Sequence, residues 1–353
     1  MKRKVGVAQI VLVMLIGRVI VIFTAAVSGG YTVSEMLAVL AGLPLILLLG
    51  IPILLLGRKL GGDAGILEGA DQMGKPFAKT VCLIYAVYFF IIAVIGVGKF
   101  DFFFGHIMPH MTHHISVAVI ILIPTLYAVV KGLEAIARAG SILSVLCLAV
   151  LVVTVGALIP HMQTSALVSP FLSDLERAAM GALTFVVQTP EIAALGVLVP
   201  YLRGSLHKGY HIFGLTAAAA IFCMITVTIA VLGNYGTVTK FPFYTATGVF
   251  QLGAFQNLDA LQIGVWTLGG FLKASFYLWL CRHCLARAFP LFHKLIPTCG
   301  LALATAVCAG LYSGNESRFP VSVLAAGLAL TAVVIPVILL IGVGRRAKEG
   351  SAA

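Results

Sequence analysis

Charge is scarce in this sequence. Asp, Glu, Lys and Arg together make up 10% of its 353 residues, against roughly a quarter in soluble domains. That shortage, with 61% hydrophobic residues and a mean hydropathy of +1.10, excludes a water-soluble globular domain. Acidic residues are scarcer still, 12 against 23 basic ones. The resulting charge of +11 is scattered between apolar runs and not gathered into a patch, which argues against nucleic acid as a partner. There is no Ser-His-Asp grouping, no phosphate-binding glycine loop and no HExxH motif, so neither an enzyme nor a cofactor is expected. Seven cysteines, an odd number lying mostly inside apolar runs, make poor material for a disulfide framework.

What is present is a series of long apolar runs. A bilayer takes about 20 apolar residues per helix, because every backbone amide must find its partner internally. The runs predict about ten transmembrane helices, near 6–29, 33–57, 78–98, 114–130, 139–160, 177–200, 210–233, 258–282, 295–313 and 319–344. The basic N-terminus before the first run superficially resembles a signal peptide, but that run is too long and lacks a small-residue cleavage site. With the N-terminus inside, 17 of the 23 basic residues fall on the cytoplasmic side, and only Lys99, Arg177, Lys240 and Arg318 fall outside. That bias predicts an even number of spans with both termini cytoplasmic. The segment Lys131–Arg138 reads as a cytoplasmic joint between helices, and Gly233–Asn257 as an outer segment whose amphipathic stretch to Phe255 reads as an interfacial helix.

Ionisable residues within a span are expensive and mark functional positions by default. Three qualify: Arg18 after Gly17 in the first helix, Glu191 in the sixth and Lys273 in the eighth. In Gln188-Thr189-Pro190-Glu191, the proline removes a backbone donor, predicting an interruption whose freed polar groups become ligands. Snorkelling of Arg18 and Lys273 to the headgroups is the structural alternative, as is a plain proline kink for the sixth helix. Gly269, Gly270, Ala274 and Ser275 around Lys273 allow close helix approach and room for water. Cys281-Arg-His-Cys284 is one half of a metal-like pattern and carries no metal site by itself. His106, His110, His113 and His114 near Asp101 read as a polar outer loop, with zinc or proton binding the alternative.

The first and sixth helices combine an ionisable residue with an interrupted apolar pattern. A spacing of five helices requires any second repeat to be inverted, the plan in which broken helices meet at the bilayer midplane. The expected fold class is therefore an all-α membrane protein: a single domain over 1–353, a five-plus-five inverted repeat (about 6–160 and 177–344) with broken first and sixth helices.

Three stretches together resemble the permease (B) subunits of spore germinant receptors: KGLEAIARAGSIL at 131–143, FPFYTATGVFQLGAFQNLDAL at 241–261 and IGVWTLGGFLKASFYLW at 263–279, with Trp266, Gly269, Gly270, Lys273 and Tyr277 at the family's positions. The resemblance implies a ten-helix member of the amino acid/polyamine/organocation transporter superfamily in the spore inner membrane. It also implies binding of a small nutrient, such as an amino acid, and association with a membrane-embedded A subunit and a lipoprotein C subunit. The candidate substrate-binding residues are Gly17, Arg18, Tyr85, Gln188, Thr189, Pro190, Glu191 and Lys273, on the first, third, sixth and eighth helices. The first helix departs from the pattern, with Thr24 where the family carries proline. A proton-coupled amino acid transporter and a ligand-gated ion or water pathway are the alternative functions, because all three require a polar midplane site.

Overall fold

The computed structural model describes residues 5–27, 29–62, 64–108, 114–167, 175–249, 258–313 and 321–352. His110, His113, residues 250–257 of the second resembling stretch and the expected outer loop with Asn315 and Arg318 lie outside them.

The protein is an all-α membrane protein. Among the described residues, eight helices are long and apolar enough to cross a bilayer, and two shorter apolar helices stand at the first and fourth expected positions. The first span is α1 (Val7–Phe23), the second α2 (Val33–Leu49) with α3 (Ile51–Lys59). A short α4 (Ile66–Met73) follows, then the third span α5 (Lys75–Ile107), the fourth α6 (His114–Lys131) and the fifth α7 (Leu133–Leu158). The sixth is divided into α8 (Leu175–Val187) and α9 (Glu191–Leu198), and α10 (Leu206–Leu232) is the seventh. After α11 (Pro242–Gly248) come α12 (Leu258–Ala288) and α13 (Leu295–Ser313). The last span is α14 (Val321–Leu328), a π-helical turn over Ala329–Val334 and α15 (Ile335–Ala352).

Several boundaries correct the expected ones. The first helix stops at Phe23 and not near 29, with the Thr24 hydroxyl donating to the Ile20 carbonyl at 3.1 Å. It is also continuous through Gly17 and Arg18, so the break expected within it is absent. Nothing there removes a backbone donor, since the helix contains no proline. The third helix continues nine residues past 98, because Lys99 and Asp101 end the apolar run without ending the helix. The expected joint at 131–138 shrinks to Gly132, whose φ of +95° is a conformation open to glycine. The outer segment after Gly233 does contain a short helix, α11.

Contacts between elements sort the chain into two ends. At one end Val5–Gly6 (β1) pairs in parallel with Leu202–Arg203 (β2), tying the start of α1 to the end of α9. There too Lys59 Nζ donates to the Leu340 carbonyl at 2.8 Å. Arg287 pairs with Glu68, at 2.8 Å, and with Asp71, and Arg282 donates to the Val129, Phe292 and His293 carbonyls. At the opposite end Arg177 meets Glu35 at 2.9 Å and the Gly30 carbonyl. The Val27 amide bonds the Lys240 carbonyl at 3.0 Å, and Lys240 meets His106. α1 and the divided sixth helix therefore run in opposite directions, the mutual orientation an inverted repeat requires. α1 is enclosed by α7, α10 and α12, and α5 packs along α12.

Candidate functional site

The site begins with a missing hydrogen-bond donor. Pro190 has no N–H, so the Val186 carbonyl one turn back has no α-helical partner. The Thr189 amide takes it instead, at 3.0 Å, which deprives the Phe185 carbonyl of the donor it would have had. Two side chains fill that vacancy: Thr189 Oγ1 at 3.0 Å and, from α1, Arg18 Nη2 at 2.8 Å. The guanidinium also lies over the Phe185 ring, 4.5 Å from its centroid, a favourable placement for a cation. The Gln188 amide still donates to Thr184 at 3.0 Å, so the break is confined to 188–190 and α9 restarts at Glu191.

Glu191 is wholly buried, Arg18 is 1% exposed and Lys273 9%. Opening α9, the carboxylate stands at the positive end of a helix and accepts from Tyr277 Oη at 2.8 Å through Oε1. It attracts both cations, which repel each other, while Lys99 adds positive potential at Lys273. Gly17 lies where they converge, a Cβ there making ordinary contacts 3.8 Å from Glu191 Oε1 and 3.8 Å from Lys273 Cγ. Close approach demands small residues along α12, where a Cβ on Gly269 meets Ile16 and Ile20 of α1 and one on Gly270 clashes with the Phe100 ring.

The structure thus brings together Gly17, Arg18, Thr189, Pro190, Glu191 and Lys273, with Gln188 half-buried beside them. Tyr85 is engaged elsewhere. Within the π-helical turn the Ile335 amide bonds Leu330 five residues back. The next donor in that register is Pro336, which has none, and the Tyr85 hydroxyl fills the vacancy at the Thr331 carbonyl. Tyr85 reaches Tyr277 only through Phe89, with ring centroids 5.9 and 6.1 Å apart along the relay.

Three participants are absent from the expected site residues. Tyr277, named above only as a family position, lies four residues after Lys273, hence on the same helix face, and the Phe185 carbonyl lies five residues before Pro190. Tyr88, three residues after Tyr85, is within electrostatic reach of Glu191. Each offset is available in the sequence, but nothing local distinguishes Phe185 and Tyr88 from ordinary core. Of the weaker candidates, Cys281 and Cys284 are buried free thiols. No group of three or more potential metal ligands occurs among the described residues. His106 donates through Nδ1 to the Phe102 carbonyl at 3.0 Å and accepts from Lys240 at Nε2, 2.6 Å away.

A family model described as spore germination protein matches residues 4–316, a range that includes every residue of this site. Spore germination protein KB of Bacillus subtilis (strain 168) is 25% identical over 224 residues. That alignment takes in 59% of this chain and 58% of the relative, so the chain spans less than two thirds of the relative's length. Membrane-crossing helices and a match over nearly the whole chain agree: this integral membrane protein belongs to the spore germination protein family, a family of permeases.

Proposed function

We propose that the chain is the nutrient-sensing membrane subunit of a spore germinant receptor. It binds a small polar nutrient, such as an amino acid, where α1, α5, the α8–α9 break and α12 converge, and binding triggers germination. The observation that carries this reading is the burial of Arg18, Glu191 and Lys273 from three separate helices around the opened turn at Pro190. Charges so placed are costly in a bilayer unless they serve a site. The family match supports the germination role, and the relative's printed name supports the same process. In this reading the chain is one domain of two inverted repeats, both termini are cytoplasmic, the membrane is the spore inner membrane, and A and C subunits assemble with it.

Spores carrying Lys273→Met at normal membrane abundance test the proposal. The substitution keeps side-chain length and removes the charge, and the expected outcome is loss of the nutrient response. A wild-type dose response would show that Lys273 only snorkels. Concentrative uptake of a nutrient by the purified chain in liposomes would show transport in place of sensing.

A further inference from the structure

The site holds two cations and one anion, and it is short of a negative charge. Among the described residues no ion pair joins Glu191 to Arg18 or to Lys273. Arg18 Nε and Nη1 are buried without an acceptor, and Glu191 Oε2 without a donor. The Tyr88 hydroxyl, within electrostatic reach of Glu191, is likewise unpartnered. Buried polar atoms ordinarily have partners, and buried charges ordinarily balance. A ligand standing between α1 and α12 is positioned to correct both.

The geometry points to a small monoanion that brings its own neutral hydrogen-bond donor: a 2-hydroxycarboxylate in preference to a zwitterionic amino acid. This narrows the ligand class of the proposed nutrient site and rests on that reading. The carboxylate supplies the missing negative charge and the acceptors that Arg18 Nε and Nη1 lack, with Lys273 beside it. The hydroxyl supplies a donor to Glu191 Oε2 without adding charge. An amino acid instead brings an ammonium into a region already holding two cations and leaves the surplus charge uncorrected. Of the carbonyls at the break, Phe185 is closed to that ammonium, because it already accepts from Arg18 and Thr189.

L-Lactate and L-alanine are nearly isosteric and differ at the α-carbon in hydroxyl against ammonium. Calorimetric titration of the full-length wild-type chain in lipid nanodiscs compares them without any substitution that endangers folding. Lactate is expected to bind at least about tenfold more tightly than alanine, and propionate, which lacks the donor, more weakly than lactate. Lys273→Met should weaken lactate binding by about tenfold or more. Alanine binding as tightly as lactate, or tighter, overturns the anion assignment. If lactate fails to bind while Lys273→Met spores lose their nutrient response, the site stands and the ligand class is rejected. If neither ligand binds and that variant germinates normally, both readings fall.

Discussion

Removing a single oxygen from Tyr277 tests the geometry around Glu191 most directly. The Tyr277 ring is buried and touches Phe89 and Phe276, with centroids 6.1 and 5.3 Å away, so Tyr277→Phe keeps the packing and deletes only the hydroxyl that donates to Glu191 Oε1. Because Oε2 already has no partner, the carboxylate then loses its only hydrogen bond among the described residues. A hydrogen bond to a charged group contributes about 1.5–3 kcal/mol, so that is the expected destabilisation. Removing the charge as well should make the hydroxyl nearly dispensable. A double-mutant cycle of Tyr277→Phe and Glu191→Gln therefore isolates the interaction, with an expected coupling of about 1–2 kcal/mol once the neutral amide's weaker acceptance is allowed for. The assay is reversible unfolding in mixed micelles of a denaturing detergent, followed by thiol labelling. Cys82, Cys147, Cys281 and Cys284 are buried and report unfolding, whereas Cys223 and Cys299 are exposed and set the baseline. A coupling below about 0.5 kcal/mol, the scatter for independent sites, would refute the claim that Tyr277 holds the carboxylate.

Pro190→Ala restores a backbone donor to Val186, returns the Thr189 amide to Phe185 and evicts Arg18. Removing an interior proline gains about 3 kcal/mol and losing the charge-assisted bond costs about 1.5–3 kcal/mol, so stability should change little. Hydrogen exchange at 185–191 should slow and the nutrient response disappear, and an unchanged response would mean that the break is not part of the site. Gly17→Ala should be neutral or stabilising by up to about 1 kcal/mol, since its Cβ makes ordinary contacts. Gly17→Leu should abolish ligand binding at a cost of about 1–3 kcal/mol from overpacking, and retained binding in that variant would move the ligand away from α1. In a cysteine-free background, single cysteines at 59, 131 and 203 should label only after permeabilisation and one at 240 without it; the reverse pattern would invert the topology.

The membrane-crossing helices are legible because bilayer length and apolar composition leave little freedom, and of the three resembling stretches the one at 263–279 combines glycines with a buried ion, Lys273. The ends of helices were less so. Helical hydrogen bonding does not stop where the hydrocarbon does, which is why α5 carries Lys99 and Asp101 inside its last three turns. α4 passed unread because its eight residues, with Glu68 and Asp71 among them, look like loop until Arg287 is brought beside them by the end of α12. Within the site, the break at Pro190 followed from one missing donor, whereas the partner that fills it, Arg18, lies 167 residues away. Tyr85 illustrates the converse. It lies on the expected third helix, yet its hydroxyl answers a second proline vacancy, at Thr331, that only the π-helical register creates.

Those two vacancies show how a ligand can be converted into movement. A ligand shifts a two-state protein only through its different affinity for the two states, and about 5.5 kcal/mol of difference carries an equilibrium from 1:99 to 99:1. In the structure described, Arg18 Nε, Arg18 Nη1 and Glu191 Oε2 are buried without partners. At about 1–3 kcal/mol for each unsatisfied atom, they hold roughly 3–9 kcal/mol that a ligand satisfying all three would release. That range brackets the required difference without any contribution from hydrophobic contact. The release is also directional. Arg18 belongs to α1, Glu191 to α9 and Lys273 to α12, so completing their hydrogen bonds fixes the distance between three helices. The N-terminal strand that precedes α1 is paired to the strand that follows α9, on the side where the basic residues concentrate. If the proposed site binds its ligand, a shift of α1 against α9 is transmitted to that pairing, and the first readout of ligand is expected at the β1–β2 end of these helices.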